Sequence, residues 1–173
     1  MSIYLYTGEG GGKTTNALGL ALRCIGHKRS VVIIQFLKWW KNTGEYKISK
    51  EDCIKKYYKI YQFGRYGWHG FENLTDEDKE LCENALKFTE EISKKEKPYL
   101  LVLDEINLAC YLKLLDVNLV IETLKKIKED NKEVSIVITG RYAPEELINF
   151  SDYVNEVNVV KMGEYETREG IQY

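Results

Sequence analysis

A glycine-rich stretch near the start of the chain has the residue types that bind phosphate groups. It reads GEGGGKTT over residues 8–15 and follows an apolar run at 3–6. Four glycines can take positive φ and let backbone N–H groups approach an anion, namely Gly8, Gly10, Gly11 and Gly12. Lys13 would neutralise phosphate charge, and the hydroxyl of Thr14 would bind Mg²⁺. The stretch therefore predicts a nucleotide phosphate loop rather than a plain tight turn, one residue shorter than the usual G-x-x-x-x-G-K-[ST] pattern.

Two carboxylates follow a continuous apolar run, at Asp104 and Glu105. They should lie at the carboxyl end of a buried strand, where α/β sheets bind their ligands. Mg²⁺ prefers oxygen ligands, and one or two carboxylates with Thr14 and water suit its octahedral coordination. The alternative is that the pair only caps the next helix, which would not prevent metal binding.

Two arginines are candidates for contacts with a nucleotide. Arg141 follows Thr139 and Gly140 at the end of another apolar run, so it should reach over the same edge of the sheet, where a guanidinium suits phosphate oxygens. A surface charge is the alternative. Arg23 lies nine residues after Thr14, and by sequence alone we interpret it as part of a surface ion pair. His27 follows a glycine helix stop and is not assigned to catalysis.

Aromatic residues and glycines are concentrated in the long piece 38–74, particularly over residues 63–71 (FGRYGWHGF), with further aromatics at Trp39, Trp40 and Tyr46. An irregular segment of this length in a compact protein is usually functional. Its aromatic rings could form a small satellite of the core, or line a pocket for a flat, largely apolar ligand.

The elements that must position these residues alternate along the chain. Apolar runs typical of strands lie at 3–6, 31–37, 99–103 and 134–138, with weaker ones at 57–63 and 153–160. Helical patterns lie at 14–25, 76–93, 117–129 and 144–150. Thr75 and Asp116 are expected helix caps. The alternation predicts a doubly wound, mostly parallel α/β sheet with helices on both faces, similar to P-loop NTPases.

Composition limits the class of protein. A chain of 173 residues with 44% hydrophobic and 30% charged residues should form one domain over 1–173 with its own core. A net charge of −2 gives no basic footprint for DNA. We expect a cytoplasmic protein without a membrane span or signal peptide. The cysteines lack zinc-ligand spacing and should be reduced, mostly buried thiols; they are Cys24, Cys53, Cys82 and Cys110.

Several blocks along nearly the whole chain resemble the P-loop-type ATP:cob(I)alamin adenosyltransferases, which act on corrinoids. The blocks are GEGGGKTT, LGLALRCIGH, VVIIQFLK, GRYGWHG, LLVLDEINLA, LDVNLVIETL, VITGRYAPEEL and EGIQY. The resemblance implies that Mg-ATP is bound, that Co(I) of a corrinoid attacks the 5′ carbon of the ribose, and that triphosphate is released. It also implies a homodimer, and an electron donor that reduces Co(II).

The same resemblance implies roles for individual residues. Phosphate contacts would come from Gly10, Gly12, Lys13, Thr14 and Thr15; further ATP contacts would come from Arg23 and Arg141, and Mg²⁺ ligation from Thr14 and Glu105, with Asp104 as the neighbouring candidate. Tyr66 and Trp68 match the aromatic pair that displaces the lower axial ligand of the corrinoid, so that Co(II) is easier to reduce.

The loop departs from the family's common GNGKGKTTAA pattern at Glu9, Gly11 and Asn16. We expect weaker phosphate binding, because a lysine is lost and a carboxylate gained. The sequence opens at the first strand, without the N-terminal extension of longer members, and reduced efficiency is a further expectation. Two other functions stay open at this point, a P-loop NTPase or phosphotransferase and a non-catalytic nucleotide- or corrinoid-binding module.

Overall fold

The computed structural model describes residues 2–67, 69–70, 72–164 and 166–173. Within these residues six strands form one sheet in the order β3-β2-β4-β5-β1-β6, and every pairing between neighbours is parallel. The strands are β1 Ile3–Thr7, β2 Val31–Phe36, β3 Tyr58–Phe63, β4 Leu100–Asp104, β5 Ser135–Thr139 and β6 Tyr153–Glu156. The predicted parallel α/β sheet is confirmed, although β6 ends four residues earlier than its apolar pattern suggested.

Helices connect the strands. They are α1 Lys13–Gly26, α2 Gly44–Ile48, α3 Asp76–Glu96, α4 Ile106–Tyr111, α5 Val117–Asp130 and α6 Glu145–Phe150. The four helical patterns are confirmed as α1, α3, α5 and α6. The helical patterns did not include α2 and α4, which have 5 and 6 residues. α6 is equally short, with 6 residues, so length alone does not separate the missed helices from the predicted ones.

The two faces of the sheet are covered by different helices. Ala17 and Ala21 of α1 pack on one face, against a cluster that includes Ile33, Val102 and Val137. On the other face, side chains of α3 and α5 pack against a larger cluster that includes strand residues such as Ile34, Leu103 and Ile138. Neighbouring residues of the central strands thus point into two separate cores, which explains why their sequences are continuously apolar.

Both expected helix caps are present. Thr75 and Asp78 form a capping box, in which the Asp78 carboxylate accepts a hydrogen bond from the Thr75 backbone at 2.8 Å. Asp116 accepts one from the Asn118 backbone N–H at 2.8 Å. The first backbone N–H groups of a helix have no carbonyl partner within the helix, and these side chains accept hydrogen bonds there. They therefore fix where α3 and α5 begin.

The cysteines are unpaired thiols within the part of the chain that the structure describes. Cys82 and Cys110 are buried, and burial raises the pKa of each thiol to about 12. Cys24 is half-buried and Cys53 is exposed, so the expectation of mostly buried thiols holds for two of the four. None of the described helices combines the length and apolar character that a membrane crossing needs.

Candidate functional site

The glycine-rich loop joins β1 to α1 at the carboxyl edge of the sheet. Gly8 and Gly12 use the positive φ that glycine allows, with values of 94° and 105°, whereas Gly10 and Gly11 do not. Gly10 is needed for another reason. A Cβ there would lie 2.7 Å from the Val157 carbonyl oxygen, which also accepts a hydrogen bond from the Gly10 N–H at 2.7 Å. The chain after β6 therefore holds this side of the loop in place.

Lys13 folds back over the loop that precedes it. Its Nζ donates hydrogen bonds to the carbonyl oxygens of Gly8 and Gly10, at 2.7 and 2.6 Å. Burial lowers the pKa of Lys13; nearby Glu105 opposes that shift, but the pKa remains below its ordinary value. The ammonium thus lies inside the loop, against two backbone carbonyl oxygens.

Asp104, at the end of β4, is the centre of a hydrogen-bonded cluster. Its Oδ1 accepts from the hydroxyls of Thr14 and Thr139, at 2.8 and 2.7 Å. Its Oδ2 accepts from Gln35 Nε2 at 3.1 Å and from Lys38 Nζ at 2.6 Å. The carboxylate is completely buried, and four donors from β2, α1, β5 and the chain after β2 satisfy it.

Burial and charge act in opposite directions on this cluster. Burial raises the pKa of Asp104, but the ammonium of Lys38 and hydrogen bonds from Lys38, Thr139 and Thr14 outweigh it and leave the pKa below its ordinary value. Burial likewise lowers the pKa of Lys38, and Asp104 and Glu105 outweigh that effect. Both groups are therefore charged at neutral pH, as an ion pair.

Glu105 directly follows Asp104 and turns the chain into α4. Its φ is 67°, in the left-handed region, which is energetically unfavourable for a residue with a side chain. Its backbone N–H donates a hydrogen bond to the Thr139 hydroxyl at 3.1 Å. Burial raises the pKa of Glu105, and Asp104 adds to that effect while Lys38, Lys13 and Arg141 oppose it. A bound cation would stabilise the ionised form of this partly buried carboxylate. The Glu105 side chain is therefore suited to binding a cation, in addition to its position at the start of α4.

The donor set fits Mg²⁺. Thr14, Asp104 and Glu105 offer only oxygen atoms, and two of these residues lie within hydrogen-bond distance of each other. Among the described residues no group of three or more His, Cys, Asp or Glu forms a complete metal cage. Mg²⁺ is commonly held by one or two carboxylates together with the phosphates of a substrate, so a complete cage is not required.

The two arginines lie in different places. Arg141 Nε is 3.8 Å from Glu9 Oε2, so Arg141 reaches the phosphate loop as its position after β5 predicted. Glu9 also interacts with the Tyr142 hydroxyl, and its carboxylate faces these two side chains. Arg23 lies near the end of α1 and lines a surface pocket with Tyr99, just before β4 begins. That places it at the opposite edge of the sheet from the loop, and its contact with ATP stays a prediction.

A cavity of about 660 Å³ adjoins the loop and the ion pair. Its walls include Thr14, Lys38, Trp39, Trp40 and the segment 170–173. The Trp40 ring packs on the Tyr173 ring, with 4.8 Å between centroids. The volume falls in the range of small-molecule pockets, about 300–1,000 Å³, and aromatic walls suit a flat ligand.

The aromatic residues of the segment 38–74 divide between the two proposed roles. Phe63 and Tyr46 pack against the two cores and are satellite core. Tyr66 is 82% exposed, and its ring contacts Trp39 with 4.5 Å between centroids, beside the cavity. Trp68 lies outside the described residues, so its prediction is untested.

A larger groove of about 860 Å³ is lined by residues such as Tyr111, Leu119 and Tyr142. One end of it adjoins the start of the loop, because the Ala143 N–H donates to the Thr7 hydroxyl at 3.2 Å. It contains none of the candidate phosphate or metal ligands. The candidate ligands in the walls of the smaller cavity, rather than its volume, therefore identify it as the candidate site.

Sequence reasoning missed three polar residues that contact Asp104, which are Gln35, Lys38 and Thr139. Each lies in the last two residues of a strand or within two residues after it. That is the same signal that identified Asp104, so it could have found them. Asn107 was also missed. Its Nδ2 donates to the carbonyls of Tyr6 and Gly140, both at 3.2 Å, and joins the ends of β1 and β5 beneath the site.

Comparison with known proteins gives matches along the chain. The sequence model of the family described as ATP:corrinoid adenosyltransferase BtuR/CobO/CobP matches residues 1–173. A corrinoid adenosyltransferase of a Sinorhizobium species is 34% identical over 163 residues, covering 92% of this chain and 72% of that protein. Those of Pseudomonas aeruginosa and Escherichia coli K12 are 29% and 25% identical over 159 residues, covering 92% of this chain and 75% and 77% of those proteins.

Proposed function

Because this chain belongs to the ATP:corrinoid adenosyltransferase family BtuR/CobO/CobP, we propose that it transfers the 5′-deoxyadenosyl group of ATP to the cobalt of a corrinoid. The electron pair of Co(I) forms the new cobalt–carbon bond to C5′. The C5′–oxygen bond breaks, and its electron pair leaves with triphosphate. The observation that carries this proposal is the family match over residues 1–173, which includes the phosphate loop and the cavity beside it.

We infer that the loop holds the triphosphate part of ATP. The contacts would come from Gly8, Gly10, Gly11, Gly12, Lys13, Thr14 and Thr15. Lys13 supports this role, because its ammonium already lies among loop carbonyls, 2.6 and 2.7 Å away. Since the leaving group gains negative charge as the C5′–oxygen bond breaks, a fixed ammonium beside it stabilises the transition state.

Thr14, Glu105 and Asp104 would hold Mg²⁺ at the end of β4. The metal would supply positive charge to the phosphates when bound. Asp104 fixes the orientation of the Thr14 hydroxyl through a 2.8 Å hydrogen bond. Glu105 is held by the left-handed turn that begins α4.

The corrinoid would bind against the aromatic segment, with Tyr66 and Trp68 at its lower face. Exposed rings there would exclude water and nitrogen ligands from the cobalt, which makes Co(II) easier to reduce. The 82% exposure of Tyr66 supports this role, because a ring that serves only the core would be covered. The cavity between Thr14 and Trp39 is where the two substrates would meet.

Other parts of the proposal depend on the family resemblance. Residues 1–173 would act as one nucleotide-binding domain, in a cytoplasmic homodimer supplied by an electron donor for Co(II), without DNA as a ligand. Arg141 would contact a phosphate once Glu9 releases it. Arg23 would contact ATP, and its distance from the loop along α1, about 14 Å at 1.5 Å per residue, means that the nucleotide site must extend well beyond the loop or include a second subunit.

Product analysis tests the reaction. The protein is mixed with Mg-ATP and a corrinoid reduced chemically to Co(I), and the visible spectrum is followed while phosphate products are separated. Triphosphate formed in step with the adenosylated corrinoid is the expected result. ADP or inorganic phosphate would indicate an NTPase or phosphotransferase, and binding without turnover would indicate a carrier module.

The aromatic roles have a separate test. Tyr66→Ala and Trp68→Ala should leave ATP binding nearly intact and impair the reaction from Co(II) more strongly than the reaction from Co(I). Tyr153→Ala, which removes a 54% exposed ring that packs on Tyr4 near the amino end of β1, serves as the control and should affect neither. Equal impairment from both cobalt states would contradict the role at the lower face.

A further inference from the structure

Lys38 lies between two of the residues proposed to hold the metal. Its Nζ is 2.6 Å from Asp104 Oδ2 and 3.1 Å from Thr14 Oγ1. The Asp104 side chain is 1% exposed, whereas that of Lys38 is 30% exposed. The ammonium therefore has one side toward the buried carboxylate and the other toward the cavity.

The backbone around Lys38 is built to hold this position. Leu37, just before it, has a φ of 58°, which is unfavourable for a residue with a side chain. The Leu37 N–H is held by the Phe63 carbonyl at 2.9 Å. A Cβ on Gly64 would lie 2.5 Å from the Lys38 nitrogen, so the two segments touch directly. Such a turn persists only where surrounding contacts fix it, and here it directs Lys38 toward Asp104.

We propose that Lys38 is an internal cation that neutralises Asp104 while no nucleotide is bound, and that it is displaced when Mg²⁺ enters with the phosphates. This inference rests on the proposed function for the identity of the metal. The carboxylate already accepts four hydrogen bonds, two on each oxygen. A metal in contact with Asp104 or Thr14 must replace one of these donors. Lys38 is the donor that it would replace, because the positive charges of the metal and of the ammonium repel each other.

The cavity beside Lys38 has room for the displaced ammonium. Lys38 lines the cavity of about 660 Å³, together with Thr15 and Glu45. Because Glu45 lines the same cavity, its carboxylate offers a partner for the ammonium on that side. Turning toward Glu45 would move the positive charge from the metal ligands into the space where the substrates meet. Mg²⁺ would then bind weakly to the empty protein and well only with nucleotide phosphates.

Binding of Mn²⁺ to the nucleotide-free protein, followed by electron paramagnetic resonance, tests the proposal without any turnover. Lys38→Met should bind Mn²⁺ more tightly than the unsubstituted protein, on the order of tenfold, which is within the usual range for sites coupled through shared groups. Lys38→Arg keeps the charge and should bind as weakly as the unsubstituted protein. Lys59→Met is the matched control, because Lys59 pairs with Glu96 at 2.5 Å, at similar exposure and away from the site.

Equal Mn²⁺ affinity in Lys38→Met and Lys59→Met would overturn the proposal. If Lys38→Met does not fold, the ¹⁵N resonance of the Lys38 Nζ, assigned by its loss in Lys38→Arg, provides the second measurement. Adding Mg²⁺ with ATP to the unsubstituted protein should shift that resonance, and adding ATP alone should not. An unchanged resonance in a protein that still binds Mg-ATP would refute the displacement, whereas absence of Mg-ATP binding would refute the proposed function itself.

Discussion

Replacing Asp104 with asparagine removes the charge at the centre of the site and almost none of its volume. The carboxylate accepts hydrogen bonds from Thr14, Thr139, Gln35 and Lys38, between 2.6 and 3.1 Å. The asparagine amide keeps one oxygen that can accept two of these hydrogen bonds. In either orientation its NH₂ group faces the other two donors, and those two hydrogen bonds are lost. Hydrogen bonds to a charged group contribute about 1.5–3 kcal/mol each, and a buried donor left without a partner costs about 1–3 kcal/mol.

We therefore expect Asp104→Asn to lower the free energy of unfolding by about 3 kcal/mol, which is roughly 6–12 °C in Tm for a chain of this size. Asp116→Asn is the control, because asparagine is an equally good N-cap and should change Tm by less than about 2 °C. Urea unfolding should show a lower midpoint with an unchanged slope. A loss no larger than that of the control would refute the view that the four donors depend on the charge of Asp104.

The difference in Tm between the unsubstituted protein and Asp104→Asn should depend on pH. The pKa of Asp104 is below its ordinary value in the folded protein, so its stabilising effect is present above the ordinary carboxyl pKa and is lost as the pH falls through the folded pKa. The gap in Tm between the unsubstituted protein and Asp104→Asn should therefore be widest near neutral pH and narrow in acid. A gap that stays constant down to the acid unfolding transition would contradict the ion pair.

Three further outcomes follow from the loop and its surroundings. Lys13→Ala should weaken ATP binding by on the order of 2 kcal/mol, about 30-fold by calorimetry, because the ammonium makes charge-assisted contacts; unchanged affinity would remove it from the phosphate site. Gly8→Ala should cost about 1–3 kcal/mol of stability or more, since φ is 94° and the Cβ would lie 2.5 Å from the Val157 oxygen. Gly11→Ala, with nothing within 4 Å of its Cβ, should stay within about 0.5 kcal/mol, and equal losses in the two variants would show that the strain argument is wrong. Glu105→Gln should preserve the fold and raise the Mg²⁺ concentration needed for half-maximal turnover, because an amide is a weaker ligand; an unaltered Mg²⁺ requirement would assign the ligand elsewhere.

Local patterns of apolar residues in the sequence were sufficient to predict most of the strands and helices. The continuous apolar runs at β2, β4 and β5 predicted buried parallel strands, and each is covered on both faces. The helical patterns predicted α1, α3 and α5, because a helix of moderate length repeats its apolar face every three or four residues. Among the three short helices the patterns found α6 and missed α2 and α4, since fewer than two turns give little repeat to recognise.

The placement of the candidate residues at one edge of the sheet also followed from the sequence. Residues that end parallel strands meet at one edge of a sheet, and so the order of strands and turns was enough to place Asp104, Arg141 and the phosphate loop together. The role of each glycine could not be predicted in this way, because the atom that a Cβ on Gly10 would meet belongs to Val157, in the chain after β6.

The tertiary structure alone decided what surrounds Asp104. Gln35, Lys38 and Thr139 lie 69, 66 and 35 residues away in the chain, and they meet at this carboxylate because β2, β4 and β5 are neighbours in the sheet. A sequence pattern reports the conformation of a few adjacent residues, whereas a buried charge is governed by the groups that fold against it. The sequence therefore determined that an acidic strand end faces a glycine-rich loop, and the folded chain determined that Lys38 pairs with the Asp104 carboxylate there.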